Sequence, residues 1–303
     1  MPIKWVINGY YRSGTTIIFY VIKKSHPELI HLYEPLTPNM VEAVKGHPIG
    51  SIAKLHGLEG IYDDYHKLPN LTKLFELHRG MDFILPFSLI EVKEFLDEIH
   101  RLPYDILIQP NNAHFILKDL KEEYGCKTVH IIRDPADCWA SHFPHIQNTV
   151  TPNTPATLGH PKDIGAFWLY PTFNRLYKVF KNTIESKGIT KDSKDIDKFM
   201  ITWYLCNKYA IKHADYVFRI EDIARNPSIM IPKIDKKYYN LLDSNKLVSA
   251  NDKLRKWIYD KYAKEINEIY YHETQTPNDA QSGKPPKPST YNPSQPLAST
   301  RPC

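Results

Sequence analysis

Short apolar runs alternate along most of this chain with longer stretches in which apolar residues recur every three or four positions. Five of the short runs read as buried strands: residues 4–8, 29–34, 105–109, 128–133 and 216–221. Each is rich in Ile, Val, Leu or aromatic residues and ends in a polar or charged side chain. Short apolar runs of this kind suit strands covered on both faces. Helical spacing separates most of them, over residues 15–24, 89–101, 113–124, 135–143, 167–187 and 196–213. Strands alternating with helices predict an α/β fold of three layers, with a central parallel sheet of about five strands and helices on both faces. Ligands of such sheets sit at the carboxyl ends of the strands, which is where Arg12, Glu34, Arg133 and Glu221 fall.

Two stretches interrupt this rhythm. Residues 37–104 and 144–166 carry many Gly and Pro residues and read as long excursions between elements. Loops of that length inside a compact domain usually serve a ligand, so both are expected to wall a binding site. Residues 1–272 are expected to form one domain. From residue 273 to 303 the chain is Pro- and Ser-rich with almost no apolar residues, and this tail is expected to be disordered.

The composition of the 303 residues changes little in this picture: 24% charged and 42% hydrophobic is ordinary for a globular protein. The net charge of +5 suits an anionic ligand but is too weak, and too dispersed, for a nucleic-acid partner. Cys126, Cys138, Cys206 and Cys303 have neither C-x-x-C nor metal-ligand spacing, so buried free thiols, a reducing, cytoplasmic location and no metal are expected. No apolar run is long enough to span a bilayer, and no leader is expected before a first strand that starts almost at Met1.

The chemistry concentrates where the first strand gives way to a helix. Gly9-Tyr10-Tyr11-Arg12-Ser13-Gly14-Thr15-Thr16 has the spacing of a phosphate-binding loop, with Thr15 where nucleotide hydrolases carry Lys. Backbone N–H groups and a helix N-terminus can cradle an oxyanion there, and Arg12 supplies a planar, bidentate cation. Farther on, Arg133-Asp134-Pro135-Ala136-Asp137 runs from a strand end into a helix that also carries Ser141. Asp134 is placed to cap that helix, and Pro135 suits its first position.

These two stretches resemble motifs of the sulfotransferases that use 3′-phosphoadenosine 5′-phosphosulfate. Residues 11–16 resemble the 5′-phosphosulfate loop P-[KR]-S-G-T-[TS], and residues 133–141 match the 3′-phosphate motif R-[DN]-P-x-D-x-x-x-S. Arg219-Ile220-Glu221-Asp222, with Asn226-Pro227, and the pair Trp203 and Asn207 resemble scaffold motifs of the same family. His26-Pro27 and Glu34-Pro35-Leu36 resemble a segment of the carbohydrate 6-O-sulfotransferases.

The resemblance implies sulfuryl transfer from that donor to a hydroxyl acceptor, a carbohydrate or other small molecule, leaving 3′,5′-adenosine bisphosphate without a metal. It implies that Arg12, Ser13, Gly14, Thr15 and Thr16 hold the 5′ end of the donor, and Arg133 and Ser141 the 3′-phosphate. Glu34 is implied as the base, with His114 as the competing candidate and Arg12 as the stabilising cation. Ile17 stands where cytosolic members have an adenine-stacking Trp, Ile108 replaces an expected Lys, and Arg255-Lys256 lacks a following Gly. These departures point to the carbohydrate-type or microbial branch. The alternatives are a nucleotide kinase or NTPase, disfavoured by Thr15, and an inactive nucleotide- or glycan-binding relative.

Overall fold

The apolar runs form five short strands: β1 (Ile3–Gly9), β2 (Ile30–Tyr33), β3 (Ile106–Gln109), β4 (Lys127–Ile132) and β5 (Tyr216–Arg219). They are seen here in a computed structural model that describes residues 2–46, 58–143, 164–242 and 247–271. All neighbours pair in parallel, in the order β2-β3-β1-β4-β5. β1 is central, with Val6 opposite Ile108 on one side and Thr128 on the other. Successive residues of each strand enter opposite cores, because side chains alternate across a pleated strand. Val6, Leu32, Ile108 and Ile132 face one core, whereas Ile7, Tyr33, Leu107, Ile131 and Phe218 face the other.

Helices cover both faces. Helix α1 (Thr15–Ser25) buries Ile18, Phe19, Val21 and Ile22 in the second core. The larger core takes apolar residues of α2 (Met40–Val44), α3 (Leu71–Arg79), α4 (Leu89–His100), α5 (Leu117–Tyr124) and α6 (Pro135–His142). It also takes those of α7 (Ile164–Val179), α8 (Lys181–Glu185), α9 (Asp195–His213) and α11 (Asp252–Ile269), while α10 (Ile220–Arg225) packs with α1. The chain leaves β1 towards β2, then crosses from β3 over β1 to β4, so the carboxyl end of β1 is a topological switch point.

The three-layer α/β architecture is therefore as the alternation predicts, with some different boundaries. The last strand stops at Arg219 because Ile220 opens α10. The helix expected from residue 113 begins at Leu117, because Asn8 Oδ1 accepts the Ala113 N–H at 3.0 Å and holds the chain as a turn. The stretch 167–187 divides into α7 and α8 at Phe180. Helix α11 was not anticipated: its buried residues Leu254, Ile258, Tyr262, Ile266 and Ile269 form one stripe in an otherwise charged sequence. Residues 144–163 of the second excursion and the tail 273–303 lie outside the described residues.

A polar seam crosses the larger core. Asn8 Nδ2 donates to His130 Nδ1 at 3.1 Å, and His130 Nε2 donates to Asn207 Oδ1 at 2.8 Å. Asn207 Nδ2 donates in turn to the Trp203 carbonyl at 2.7 Å. One neutral tautomer of His130 satisfies both bonds, and burial pushes its pKa down to about 4. The pair Trp203 and Asn207 thus fastens α9 to β4 and β1. The second core offers a direct check: Phe19, fully buried against His31 and Tyr33, loses both contacts in Phe19→Ala, at a cost of about 3–5 kcal/mol. Urea denaturation should show that drop in midpoint with an unchanged slope.

Candidate active site

The loop between β1 and α1 is built from two glycines that nothing larger can replace. A Cβ on Gly9 would lie 2.5 Å from Ser13 Oγ and 2.8 Å from the Ile131 carbonyl, so the strand can pass this close only without one. Gly14 is the N-cap of α1 in the left-handed region at φ 85°, which costs glycine no steric penalty. It offers no side chain to the first-turn N–H groups, which lack intrahelical partners and carry the positive end of the helix dipole. Ser13 is fully buried, and its Oγ has no hydrogen-bond partner.

The loop meets the Arg133 region directly. Arg133 follows β4 and is almost fully buried, and its Nη1 donates to the Arg12 carbonyl at 2.7 Å. Its Nη2 donates to the Val248 carbonyl, and its Nε is unpartnered. Arg12 Nε donates to Ser141 Oγ on α6 at 2.9 Å. Residues 12, 133 and 141 are thus brought together, with Arg12 as the bridge between the other two. Partial burial, then the charge of Arg133, lowers the pKa of Arg12, so the pair favours an anion.

The far end of the chain clasps this arrangement. Asp134 caps α6 as expected, accepting from Ala136 and Asp137 N–H groups at 2.8 and 3.1 Å. Its other oxygen, Oδ2, accepts from Arg255 at 2.5 Å and from the Tyr259 hydroxyl at 2.6 Å. Asp137 Oδ1 accepts from Arg255 at 2.5 Å and from the Ala250 N–H at 2.8 Å. Glu221 Oε1 accepts the Asp134 N–H at 3.2 Å. Burial, with the charge of Asp134 added, pushes Glu221 up to about 7. Arg219 is tied to Asp222 at 2.5 Å.

Glu34 sits just past β2, half-buried and open to the same rim. Asn111 Nδ2 donates to its Oε1 at 2.7 Å and the Tyr62 hydroxyl to its Oε2 at 3.4 Å. Burial raises its pKa, while Tyr33, Asn111, Tyr62 and then the charge of Arg12 pull the other way. On the loop side, Thr15 Oγ1 donates to Asn111 Oδ1 at 2.6 Å and Thr16 Oγ1 bonds the Tyr33 hydroxyl at 2.8 Å. The non-glycine residues with left-handed backbone, among the described residues, are Arg12 (φ 67°), Glu34 (φ 50°) and Asn111 (φ 58°). Each follows a neighbouring strand, and strained backbone of this kind clusters where function demands it.

His114 is placed otherwise. It is fully buried, stands 5.6 Å from the His130 ring and 6.1 Å from Tyr10, and neither ring nitrogen has a partner. Burial holds its pKa well below the usual histidine value. Asn111, Tyr62, Val248 and Tyr259 were not singled out from sequence, and Arg255 only for the Gly missing after Lys256; Pro110-Asn111-Asn112 after a strand carries a turn signal. Among the described residues, no group of three His, Cys, Asp or Glu side chains is placed to hold a metal, and no helix is long and apolar enough to cross a membrane.

An uncharacterized protein of Archaeoglobus fulgidus is 32% identical over 313 aligned positions, covering 88% of this chain and 97% of that one. The chain belongs to the family of this archaeal protein. No family model matches it. Two solved structures give low-scoring matches. The sulfotransferase domain from the curacin biosynthetic pathway is 12% identical, with 84% of this chain and 77% of that one covered and a TM-score of 0.36. A sulfotransferase from Alicyclobacillus acidocaldarius is also 12% identical, with 88% and 93% covered and a TM-score of 0.38.

The raised pKa of Glu221 makes a stability prediction. Its proton is held more tightly in the folded chain than in the unfolded one, where a Glu titrates near about 4.3. The stability it contributes is complete below that value and lost as pH rises through about 7. Thermal unfolding should therefore show a decline between pH 4.5 and 7, at most about 3 kcal/mol, that is missing in Glu221→Gln.

Proposed function

We propose that this protein is a sulfotransferase that moves a sulfuryl group from 3′-phosphoadenosine 5′-phosphosulfate to a hydroxyl acceptor, with a carbohydrate as the first class to test. The observation that carries the reading is the bond from Arg133 Nη1 to the Arg12 carbonyl. It joins two motifs, distant in sequence, at one rim of the sheet. The residues fit such a donor: Ser13 Oγ and Arg133 Nε are buried polar atoms without partners, and two guanidinium side chains adjoin a helix N-terminus.

In this reading, Arg12, Ser13 and the amides and hydroxyls of Gly14, Thr15 and Thr16 hold the 5′ end of the donor. Arg133 and Ser141 hold its 3′-phosphate, which distinguishes it from ATP. The donor would supply an already anionic sulfuryl group, so positioning and charge stabilisation do most of the catalysis, without a metal. Arg12 stabilises negative charge on the loop side. Glu34, half-buried yet reachable, accepts the acceptor's hydroxyl proton on a carboxylate oxygen, an effect of about 10²–10⁴-fold. His114, sealed beneath the rim, is the weaker base candidate.

A cleft of about 640 Å³ lined by Pro38, Val41, His78, Met81, Phe83 and Pro171, among others, is the candidate acceptor groove; its lining includes no anion-loop residue, and Pro38, four positions beyond Glu34, is the nearest to that residue in sequence. Most of its wall comes from the 37–104 excursion. The whole of 1–272 would then act as one catalytic domain.

Calorimetric titration tests the donor: tight binding of 3′,5′-adenosine bisphosphate with little affinity for ATP is expected. Preference for ATP would support the kinase reading, and no binding of either would support an inactive relative. Glu34→Gln should lose at least about 100-fold in turnover in a sulfate-transfer assay while keeping its nucleotide affinity. The raised pKa of Glu34 places the acid limb of kcat/KM above the usual carboxylate range, with activity rising as pH increases through it.

A further inference from the structure

We infer that Asn111 is the positioning residue that ties the base to the anion loop, fixing the Glu34 carboxylate against Thr15 through its side-chain amide. The inference rests on the reading of Glu34 as the base. Its geometry is independent of that reading.

The amide of Asn111 has both ends engaged. A carboxylate without a proton can only accept, so the nitrogen of Asn111 must face Glu34, and its 2.7 Å bond to Oε1 fixes the amide's orientation. Its oxygen then accepts from Thr15 Oγ1 at 2.6 Å and from Gln109 Nε2, the last residue of β3. The start of α1, the residue just past β2 and the end of β3 are thereby joined through one buried side chain.

The backbone agrees with this role. Asn111 is 5% exposed and adopts φ 58°, a conformation that Asn tolerates better than most residues and that aims its short side chain between the two neighbouring strand ends. Its bond to Glu34 is shorter than the 3.4 Å bond from Tyr62 to the other oxygen. Glu34 also feels Arg12, Tyr11, Tyr33 and Tyr65, of which Arg12 and the Tyr33 bond favour its charged form. Tyr33 also links Glu34 to the loop, at Thr16, and Asn111 makes the link at Thr15.

Two variants separate the side chain from the backbone. Asn111→Gly keeps the left-handed conformation at no steric cost and removes the amide; Asn111→Asp keeps the shape but sets a second carboxylate beside Glu34. Titration of Glu34 followed by carbon NMR should show its pKa rising in both variants, and more in Asn111→Asp, without need of an activity assay. In the transfer assay Asn111→Gly should lose about 10–100-fold in kcat, shift the acid limb of kcat/KM to higher pH, and bind 3′,5′-adenosine bisphosphate within about threefold of the parent. An unmoved Glu34 titration in Asn111→Gly, or an unchanged kcat and acid limb beside an active parent, overturns the inference. Full turnover in Glu34→Gln overturns instead the reading of Glu34 as base, and the NMR titration still decides whether Asn111 tunes its charge.

Discussion

A guanidinium at the end of one strand holds the backbone of the loop that leaves the adjacent strand, and the geometry of the rim follows from that contact. Arg133 is almost fully buried, and an ionised group so placed must have partners or destabilise the fold. It finds two in backbone carbonyls, those of Arg12 and Val248, rather than in a carboxylate. The carbonyls take one bond each from Nη1 and Nη2 but leave its charge unneutralised and its Nε unpartnered. The rim therefore keeps a net attraction for anions, and the like charge of Arg12 beside it sharpens that attraction.

The neighbouring acids are handled in the opposite way. Asp134 and Asp137 are buried and close to Arg133, yet both are turned towards Arg255 and away from the loop. Pairing with Arg133 would have cancelled its positive field at the loop. Helix α11 thus supplies the counter-charge from the far side, and Tyr259 fills a remaining acceptor site on Asp134. Glu34, in turn, is surrounded mostly by neutral donors, which hold a carboxylate in place without consuming its basicity as a salt bridge would.

How much of this could be read from sequence differs from element to element. The five strands were legible because a doubly covered strand must be apolar throughout, and each of the five runs is short and ends in a polar side chain. Residues 9–16 and 133–141 stood out because a glycine turn into a helix and a capped, proline-started helix fix residue type and spacing within a few positions, and the structure brings the two stretches into contact. Asn111 did not, since its importance lies in a left-handed φ and in two partners 77 and 96 residues away. Helix α11 escaped for a different reason: its one buried stripe is diluted by charged residues that serve the solvent face and, at Arg255, the site. The pairing of Arg12 with Ser141 was equally hidden, because two motifs show which residues are candidates but not how they meet each other.

The clasp formed by residues 248–259 has a consequence for how the molecule is made. Every strand of the sheet precedes residue 220, so a ribosome can release a fully paired sheet while Val248, Ala250, Arg255 and Tyr259 are still inside its exit tunnel. During that interval Arg133 keeps the Arg12 carbonyl and Asp134 its helix-capping bonds, but neither acid has a guanidinium beside it from residue 255. The counter-charge of both acids is then added late in synthesis, by the stretch of chain that arrives after the scaffold has formed.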